Sequence, residues 1–390
     1  MTKTPLRKTH RVETRPPFDC IALLLQGGGA LGAYQAGVYE ALAEAGLQPD
    51  WVAGISIGAI NAALIAGNPP KERVAKLRQF WEEVSLVGGT GCGDSWFAPL
   101  LRGDATRTAL NQMSALQAAT FGAPSFFAPR LPGPWFYPPG SHAATSLYDT
   151  SPLLTTLERL VDFDRLNNDG MRLSVGAVNV RSGNFSYFDT TTHKIGPHHV
   201  MASGALPPGF PAVEIEGEFY WDGGLVSNTP LSWLVNNELR QDTLAFQVDL
   251  WNARGTFPRD LAEVMMRQKE IQYSSRTRAN TDQFKRMQRL RCALGNLLSQ
   301  LPPELRESDE AKLLGTVASH KVYNIVHLIY RTAKYEGHSK DYEFSRQSME
   351  DHWRAGYYDA ARTLRHPEVL QRPTNLESVQ TFDLGSDARD

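Results

Sequence analysis

A serine set between glycines, a run of bare glycines and an acid closing an aromatic run are the residues of this chain best suited to do chemistry. The serine lies in Gly54-Ile55-Ser56-Ile57-Gly58. A strand that turns abruptly into a helix leaves no room for side chains two positions before and two after the turning residue, and Gly54 and Gly58 stand there. Such an elbow lifts a serine Oγ clear of a sheet and sets it at a helix N-terminus, where negative charge is favoured. The glycine run is Gln26-Gly27-Gly28-Gly29-Ala30-Leu31-Gly32. Gly27, Gly29 and Gly32 fit a dinucleotide-binding spacing, but that reading needs an acid closing the second strand, and that strand ends in Ser56. Bare N–H groups at a helix start suit an oxyanion instead. The acid is Asp222, in Phe219-Tyr220-Trp221-Asp222-Gly223-Gly224. Asp-Gly alone is an ordinary turn signal. Aromatic neighbours that desolvate a carboxylate would raise its basicity, as a base acting directly on a serine requires.

The elements that must position these groups are legible around them. Ile21–Leu25 is an apolar run that delivers the chain to the glycine loop, and a helix-period segment follows to Ala45 and stops at Gly46. Trp51-Val52-Ala53 leads into the elbow, and Ala59–Ala66 continues as a helix to Gly67. The order is strand, glycine loop, helix, strand, serine elbow, helix.

These three motifs, in this order and over about residues 20–250, resemble those of the patatin-like phospholipases. The resemblance implies a three-layer α/β/α fold and a serine–aspartate dyad without histidine. It makes Ser56 the nucleophile and Asp222 the base, with Gly27, Gly28, Gly29 and Ala30 forming the oxyanion hole. Gly32, Gly54, Gly58, Gly223 and Gly224 are then motif glycines. The chain departs from the pattern at Leu31, where many members carry Arg or Lys. Neutral esters are therefore expected to compete well with phospholipids.

Totals narrow the class. The 390 residues are 42% hydrophobic and 21% charged, with net charge −2, which gives no basic field for nucleic acid. Cys20, Cys92 and Cys292 have no metal spacing and leave one thiol over in any disulfide scheme, which suits a reducing cytoplasm. No apolar run reaches the ~18 residues of a membrane span, so contact with a membrane or lipid granule would be peripheral. No metal or other cofactor is expected, and a homo-oligomer stays open.

Beyond the motifs, residues 1–19 read as a flexible basic tail and 20–251 as the catalytic domain. A helix is expected over Lys71–Val84. Residues 88–144 form an insertion, with Gly88-Gly89-Thr90-Gly91, a polar helix near Thr106–Ala119, and aromatics interleaved with prolines from Phe126 to Pro139. This insertion is a candidate lid or acyl-chain funnel, or else a loop packed flat on a surface. Arg172–Val180 and Asn184–Phe188 read as strands, Asn228-Thr229-Pro230 as the cap of a structural helix to about Leu239, and Leu244–Trp251 as a strand. Residues 252–371 form a mostly helical C-terminal extension, and 372–390 a flexible tail. Within the extension, basic amphipathic helices over 259–301 are expected to dock their apolar stripe on a core. Val322–Tyr330 reads as a strand able to extend the main sheet.

The chemistry expected is hydrolysis of lipid or other carboxylic esters through an acyl-enzyme. Two alternatives stand beside it: acyl transfer from the same intermediate, and a lipid- or granule-binding protein with a vestigial site. A Ser–His–Asp triad using His198 or His199 is the mechanistic rival.

Overall fold

In the computed structural model the described residues are 6–86, 104–168, 170–235, 240–274, 277–333, 335–375 and 378–385. The glycine cluster at 88–91, Cys92 and the expected helix end near Leu239 lie outside them. The catalytic half opens with β1 (Cys20–Leu25), α1 (Ala33–Glu44), β2 (Trp51–Ile55), α2 (Ile57–Ala66) and α3 (Arg73–Val84). The insertion supplies α4 (Asp104–Phe121) and β3 (Ala128–Pro129), which pairs with β4 (Tyr148–Asp149) just beyond it. Then follow α5 (Ser151–Leu160), α6 (Phe163–Asn168), β5 (Arg172–Asn179), β6 (Phe185–Asp189), α7 (Pro197–Ser203), β7 (Val213–Ile215), β8 (Glu218–Asp222), α8 (Leu231–Val235) and β9 (Thr243–Asp249). The C-terminal part adds α9 (Leu261–Tyr273), α10 (Thr277–Ser299), α11 (Pro303–Arg306), α12 (Asp309–Val317), β10 (Tyr323–Ile329), α13 (Arg346–Thr363) and β11 (Val379–Phe382).

One nine-stranded sheet runs β11-β10-β9-β1-β2-β5-β8-β7, with β6 on the far edge of β5. Pairing is parallel from β11 to β5, and β6, β7 and β8 join antiparallel. Both faces are covered. Along β1, Ile21, Leu23 and Leu25 enter the larger core, while Cys20, Ala22 and Leu24 enter a second one with Leu231, Leu234 and Phe284. A strand buried on both faces has this continuous apolar sequence because alternate side chains meet different layers. The layers are α/β/α.

Described residues near both ends of the chain contact this body. Val379–Phe382, read from the sequence as part of a tail, pairs with β10 as the edge strand. Before β1, Val12 donates its N–H to the Ala45 carbonyl at the end of α1 (3.0 Å), Arg7 donates its own to the Arg365 carbonyl (2.8 Å), and Phe18 is buried. Helix α13 lies on α1 at a near backbone contact. A Cβ on Gly37 would stand 1.9 Å from the Trp353 carbonyl oxygen, and one on Gly356 would stand 2.0 Å from that of Tyr34.

The expectation for α9 is corrected, and on α10 it holds only in part, since Phe284 docks in the second core while most of its stripe does not. Leu261, Val264, Met265 and Ile271 are exposed on α9, and Met287, Leu290 and Leu297 on α10. The inward side of α9 is polar: Glu270 is buried and takes ion pairs from Lys340 (3.1 Å) and Arg267 (3.1 Å). A satisfied buried ion network displaces the apolar stripe from the core side, which an amphipathic pattern cannot reveal.

Candidate active site

The register of β5 explains why Ser56 and Asp222 meet. Strand β2 runs up one edge of β5 until Ile55 stands opposite Gly176. Strand β8 comes down the same edge from the other direction until Asp222 stands opposite Ala177. Since β6 occupies the other edge throughout, β2 and β8 abut head to head, one strand position apart. The next residue of β2 therefore has no path straight ahead. Ser56 turns out of the sheet at φ 56°, ψ −126°, a conformation that side chains rarely adopt, and α2 starts at once. A Cβ on Gly54 would lie 2.2 Å from the Gly58 carbonyl oxygen, and one on Gly58 would lie 2.3 Å from that of Leu25. The elbow closes only with glycine at both places. Ser203, at the end of α7, braces the turn: its Oγ accepts the Ser56 N–H (2.9 Å) and donates to the Gly176 carbonyl (2.6 Å).

The Ser56 side chain lies near enough to the Asp222 carboxylate to favour its ionised form, and Asp222 Oδ1 accepts the Gly224 N–H at 2.7 Å. Asp222 is 3% exposed. Burial lifts its carboxyl from an ordinary 3.8 to about 6, against the opposing pull of Ser56 and of the Gly224 hydrogen bond. A carboxylate so raised accepts a proton more readily near neutral pH.

Of the four groups expected to hold an oxyanion, the structure leaves two free. The Ala30 N–H donates to the Asp341 carbonyl (2.8 Å) and the Gly27 N–H to the Asn228 carbonyl (3.3 Å). Ala30 and Gly27 are thus corrected as donors, because each N–H already has an acceptor. Gly28 and Gly29 line the cavity, and among the described residues their N–H groups have no partner. The Ile57 N–H, in the first turn of α2, also lacks an acceptor within its helix.

Ser56, Asp222 and these glycines open onto a cavity of about 550 Å³. Its walls are mostly apolar. Phe126 and Phe127 come from just before β3 and Leu147 and Tyr148 from the start of β4, Leu206 to Phe210 from the chain after α7, and Tyr273, Tyr342 and Phe344 from the C-terminal part. Phe126, Phe127, Phe210 and Phe344 form one ring cluster, with Phe127 and Phe210 centroids 5.2 Å apart and those of Phe126 and Phe344 5.8 Å apart. Trp135 and Phe136, in the middle of the insertion, are 81% and 79% exposed and do not line the cavity. His198 and His199 do not line it either. His198 is exposed, and His199 Nδ1 accepts the Gly196 N–H while its ring packs on Phe188. Leu31 is fully buried in the main core, away from the cavity.

A family model described as "Patatin-like phospholipase" matches residues 23–234, more than half of the chain. The chain belongs to the patatin-like phospholipase family. A second model, "Patatin phospholipase", matches residues 271–376, so the C-terminal part is also a recognised patatin-type segment. Among curated relatives, the chain is similar to the lysophospholipase nte1 of Aspergillus terreus, 49% identical over 57 residues. That match takes 15% of this chain and 4% of the relative. It is also similar to the triacylglycerol lipase SDP1L of Arabidopsis thaliana (43% over 79 residues, 20% of this chain and 10% of the relative). The neuropathy target esterase sws of Drosophila melanogaster is 52% identical over 83 residues, 21% of this chain and 5% of the relative. Each match thus spans a tenth or less of the relative's own length. Of solved structures, VipD from Legionella pneumophila is 16% identical, covering 98% of this chain and 77% of that one, with TM-score 0.40. The type III effector ExoU is 14% identical, covering 92% and 54%, with TM-score 0.36.

Several residues at this patatin-like site escaped the sequence reading. Asn228, which in sequence marks a helix cap, lines the cavity and clamps Gly27 from both sides. Trp251 donates Nε1–H to the Gly27 carbonyl at 2.9 Å. The C-terminal part reaches in as well: the Tyr273 carbonyl, ending α9, accepts from Gln26 Nε2 (3.0 Å) and Asn228 Nδ2 (2.9 Å). Asp341, which holds the Ala30 N–H, is itself held by Lys269 at 2.8 and 2.9 Å. No motif spacing links residues so far apart in the chain. The small-residue and proline run over residues 201–211 is the one visible signal, since such residues mark close packing.

Proposed function

We propose that this patatin-like protein is a metal-independent serine hydrolase of carboxylic esters of lipids, of the phospholipase A, lysophospholipase or esterase kind. The observation that carries this reading is the Ser56–Asp222 pair at the abutting ends of β2 and β8, opening with two unpartnered glycine N–H groups onto one apolar cavity. Ser56 loses its proton to Asp222 as Oγ attacks the acyl carbonyl, and the carbonyl oxygen becomes an oxyanion. The Gly28 and Gly29 N–H groups, with that of Ile57, stabilise it. When the tetrahedral intermediate collapses, the C–O bond to the alcohol breaks and the alcohol oxygen takes the proton from Asp222. Water then gives a proton to Asp222, attacks the acyl-enzyme and releases the acid, and the proton returns to Ser56. Direct serine–aspartate chemistry is favoured over a triad because both candidate histidines lie outside the cavity wall.

The ring cluster around Phe127 offers an acyl chain its apolar wall, which supports a lipid ester as substrate. A peripheral contact with a membrane or lipid granule, reached from the cytoplasm, fits the exposed Leu131, Trp135 and Phe136. The hairpin that carries them has both roots, Phe127 and Tyr148, in the cavity wall. Among the described residues no helix is long and apolar enough to cross a membrane. Cys20 and Cys292 are buried free thiols, as a reducing compartment allows.

The test is hydrolysis of p-nitrophenyl esters and phospholipids of graded chain length, with fluorophosphonate labelling, by wild type and Ser56→Ala. Activity and labelling should both vanish in the variant. Labelling that persists would place the nucleophile elsewhere.

A further inference from the structure

The carbonyl of Gly27 receives two side-chain donors, Trp251 Nε1–H at 2.9 Å and Asn228 Nδ2–H at 3.0 Å. Both side chains belong to residues that are 3% exposed. The identity of the Asn228 donor is fixed by its surroundings, since the same atom also faces the Tyr273 carbonyl at 2.9 Å and only an NH₂ can serve two carbonyl acceptors. The other half of the Gly27–Gly28 peptide is the Gly28 N–H, one of the two loop donors that face the cavity unpartnered. A peptide is one conjugated unit. Hydrogen bonds that draw electron density onto its oxygen make its N–H a stronger donor, and this cooperativity is larger in a low-dielectric interior. The neighbouring Gly28–Gly29 peptide lacks this reinforcement: among the described residues its carbonyl accepts only the Leu31 N–H, at 3.2 Å.

We infer that Trp251 and Asn228 are positioning residues of the proposed hydrolase, which aim and polarise the Gly27–Gly28 peptide so that the Gly28 N–H is the principal oxyanion donor. The inference rests on Ser56 as nucleophile. It assigns a role to two residues that lie outside the three motifs' glycines, serine and aspartate, one of them beyond the residues matched by the patatin-like model.

The magnitude follows from what one oxyanion donor contributes, about 100- to 1000-fold in kcat. If losing one polarising bond weakens that contribution by about 10–30%, kcat falls by about two- to eightfold. The experiment compares wild type with Trp251→Phe, and with a protein carrying benzothienylalanine at 251, which keeps the shape of the indole and replaces its N–H by sulfur. Kinetics on a p-nitrophenyl ester are read beside the Ki of an alkyl trifluoromethyl ketone. Ser56 Oγ adds to that ketone while its proton passes to Asp222, which leaves a stable oxyanion in place of the transient one. The expected result is a two- to eightfold fall in kcat with KM unchanged, and a rise in Ki by the same factor. Asn228→Ser should move both quantities in the same direction. A folded 251 variant with unchanged kcat and Ki overturns the inference, and so does a fall in kcat without a rise in Ki. If wild type neither hydrolyses the ester nor binds the ketone, the reading of Ser56 fails and takes this inference with it. An active wild type with insensitive variants removes the inference alone.

Discussion

Replacing Asp222 by Asn removes the proposed base and, with it, a charge that the fold holds out of water. The amide keeps an oxygen acceptor for the Gly224 N–H, so packing changes little. In wild type, burial raises the Asp222 carboxyl from 3.8 to about 6. Each tenfold change in proton affinity corresponds to about 1.4 kcal/mol, so holding this group ionised costs the fold about 3 kcal/mol. Between pH 3.8 and about 6 the folded protein keeps a proton that the unfolded chain releases. This group's contribution to stability is therefore complete below 3.8 and is lost as pH rises through about 6. Asp222→Asn escapes that loss. With an unfolding entropy of about 2.1 cal/mol/K per residue over 390 residues, its Tm should exceed that of wild type by about 3–4 °C at pH 8, with a smaller gap at pH 5. The same variant should lose a factor on the order of a hundred or more in kcat. In wild type kcat/KM should climb about tenfold per pH unit below 6 and level off above 7. Calorimetry and a pH–rate profile from pH 4.5 to 8.5 on both proteins provide the data. A rate midpoint near 4 with no stabilisation of the variant would refute a desolvated base. A midpoint near 6.5 that survives in Asp222→Asn would move the base to a histidine.

Two further substitutions probe the walls and the loop. Phe127→Ala opens the ring cluster, so kcat/KM for long acyl chains should fall about tenfold more than for acetate or butyrate esters, since two unburied CH₂ groups cost about 1.6 kcal/mol; equal losses on graded p-nitrophenyl esters would point to disturbed site geometry instead. Leu31→Arg places an unpaired charge in the core and should cost more than about 3 kcal/mol, read as a lowered Tm and yield, with the preference between neutral esters and anionic phospholipids unchanged in whatever folds; a stable variant that shifts toward anionic phospholipids would show that this side chain reaches the substrate.

The departure at Leu31 illustrates how far a motif can be read. Its position in the loop is fixed by sequence, but the direction of its side chain is not. The 3₁₀ turn Gly29–Gly32 sends it into the core beneath α1, so its lack of charge carries no information about head groups. The insertion shows the same limit. Its aromatics are equivalent in sequence, yet Phe126 and Phe127, at the root of the β3–β4 pair, are walls of the cavity, while Trp135 and Phe136, in the loop beyond it, face water.

By itself the sequence determined what local sterics and periodicity control. Gly54 and Gly58 specify an elbow because no other residue fits there, and the apolar runs before Ser56 and the glycine loop specify strands feeding helices. From those elements the order of the motifs and the sheet-and-helix class follow. What only the tertiary structure decided are the relations between segments remote in the chain. The end-to-end meeting of β2 and β8 depends on which positions of β5 each strand pairs with, and no local pattern encodes that register. The donors on the Gly27 carbonyl come from Asn228 and Trp251, and the acceptors on the loop from Tyr273 and Asp341, across separations of up to more than 300 residues. Side-chain amides, an indole N–H and main-chain carbonyls carry no spacing signal, because their partners are chosen by packing rather than by distance along the chain.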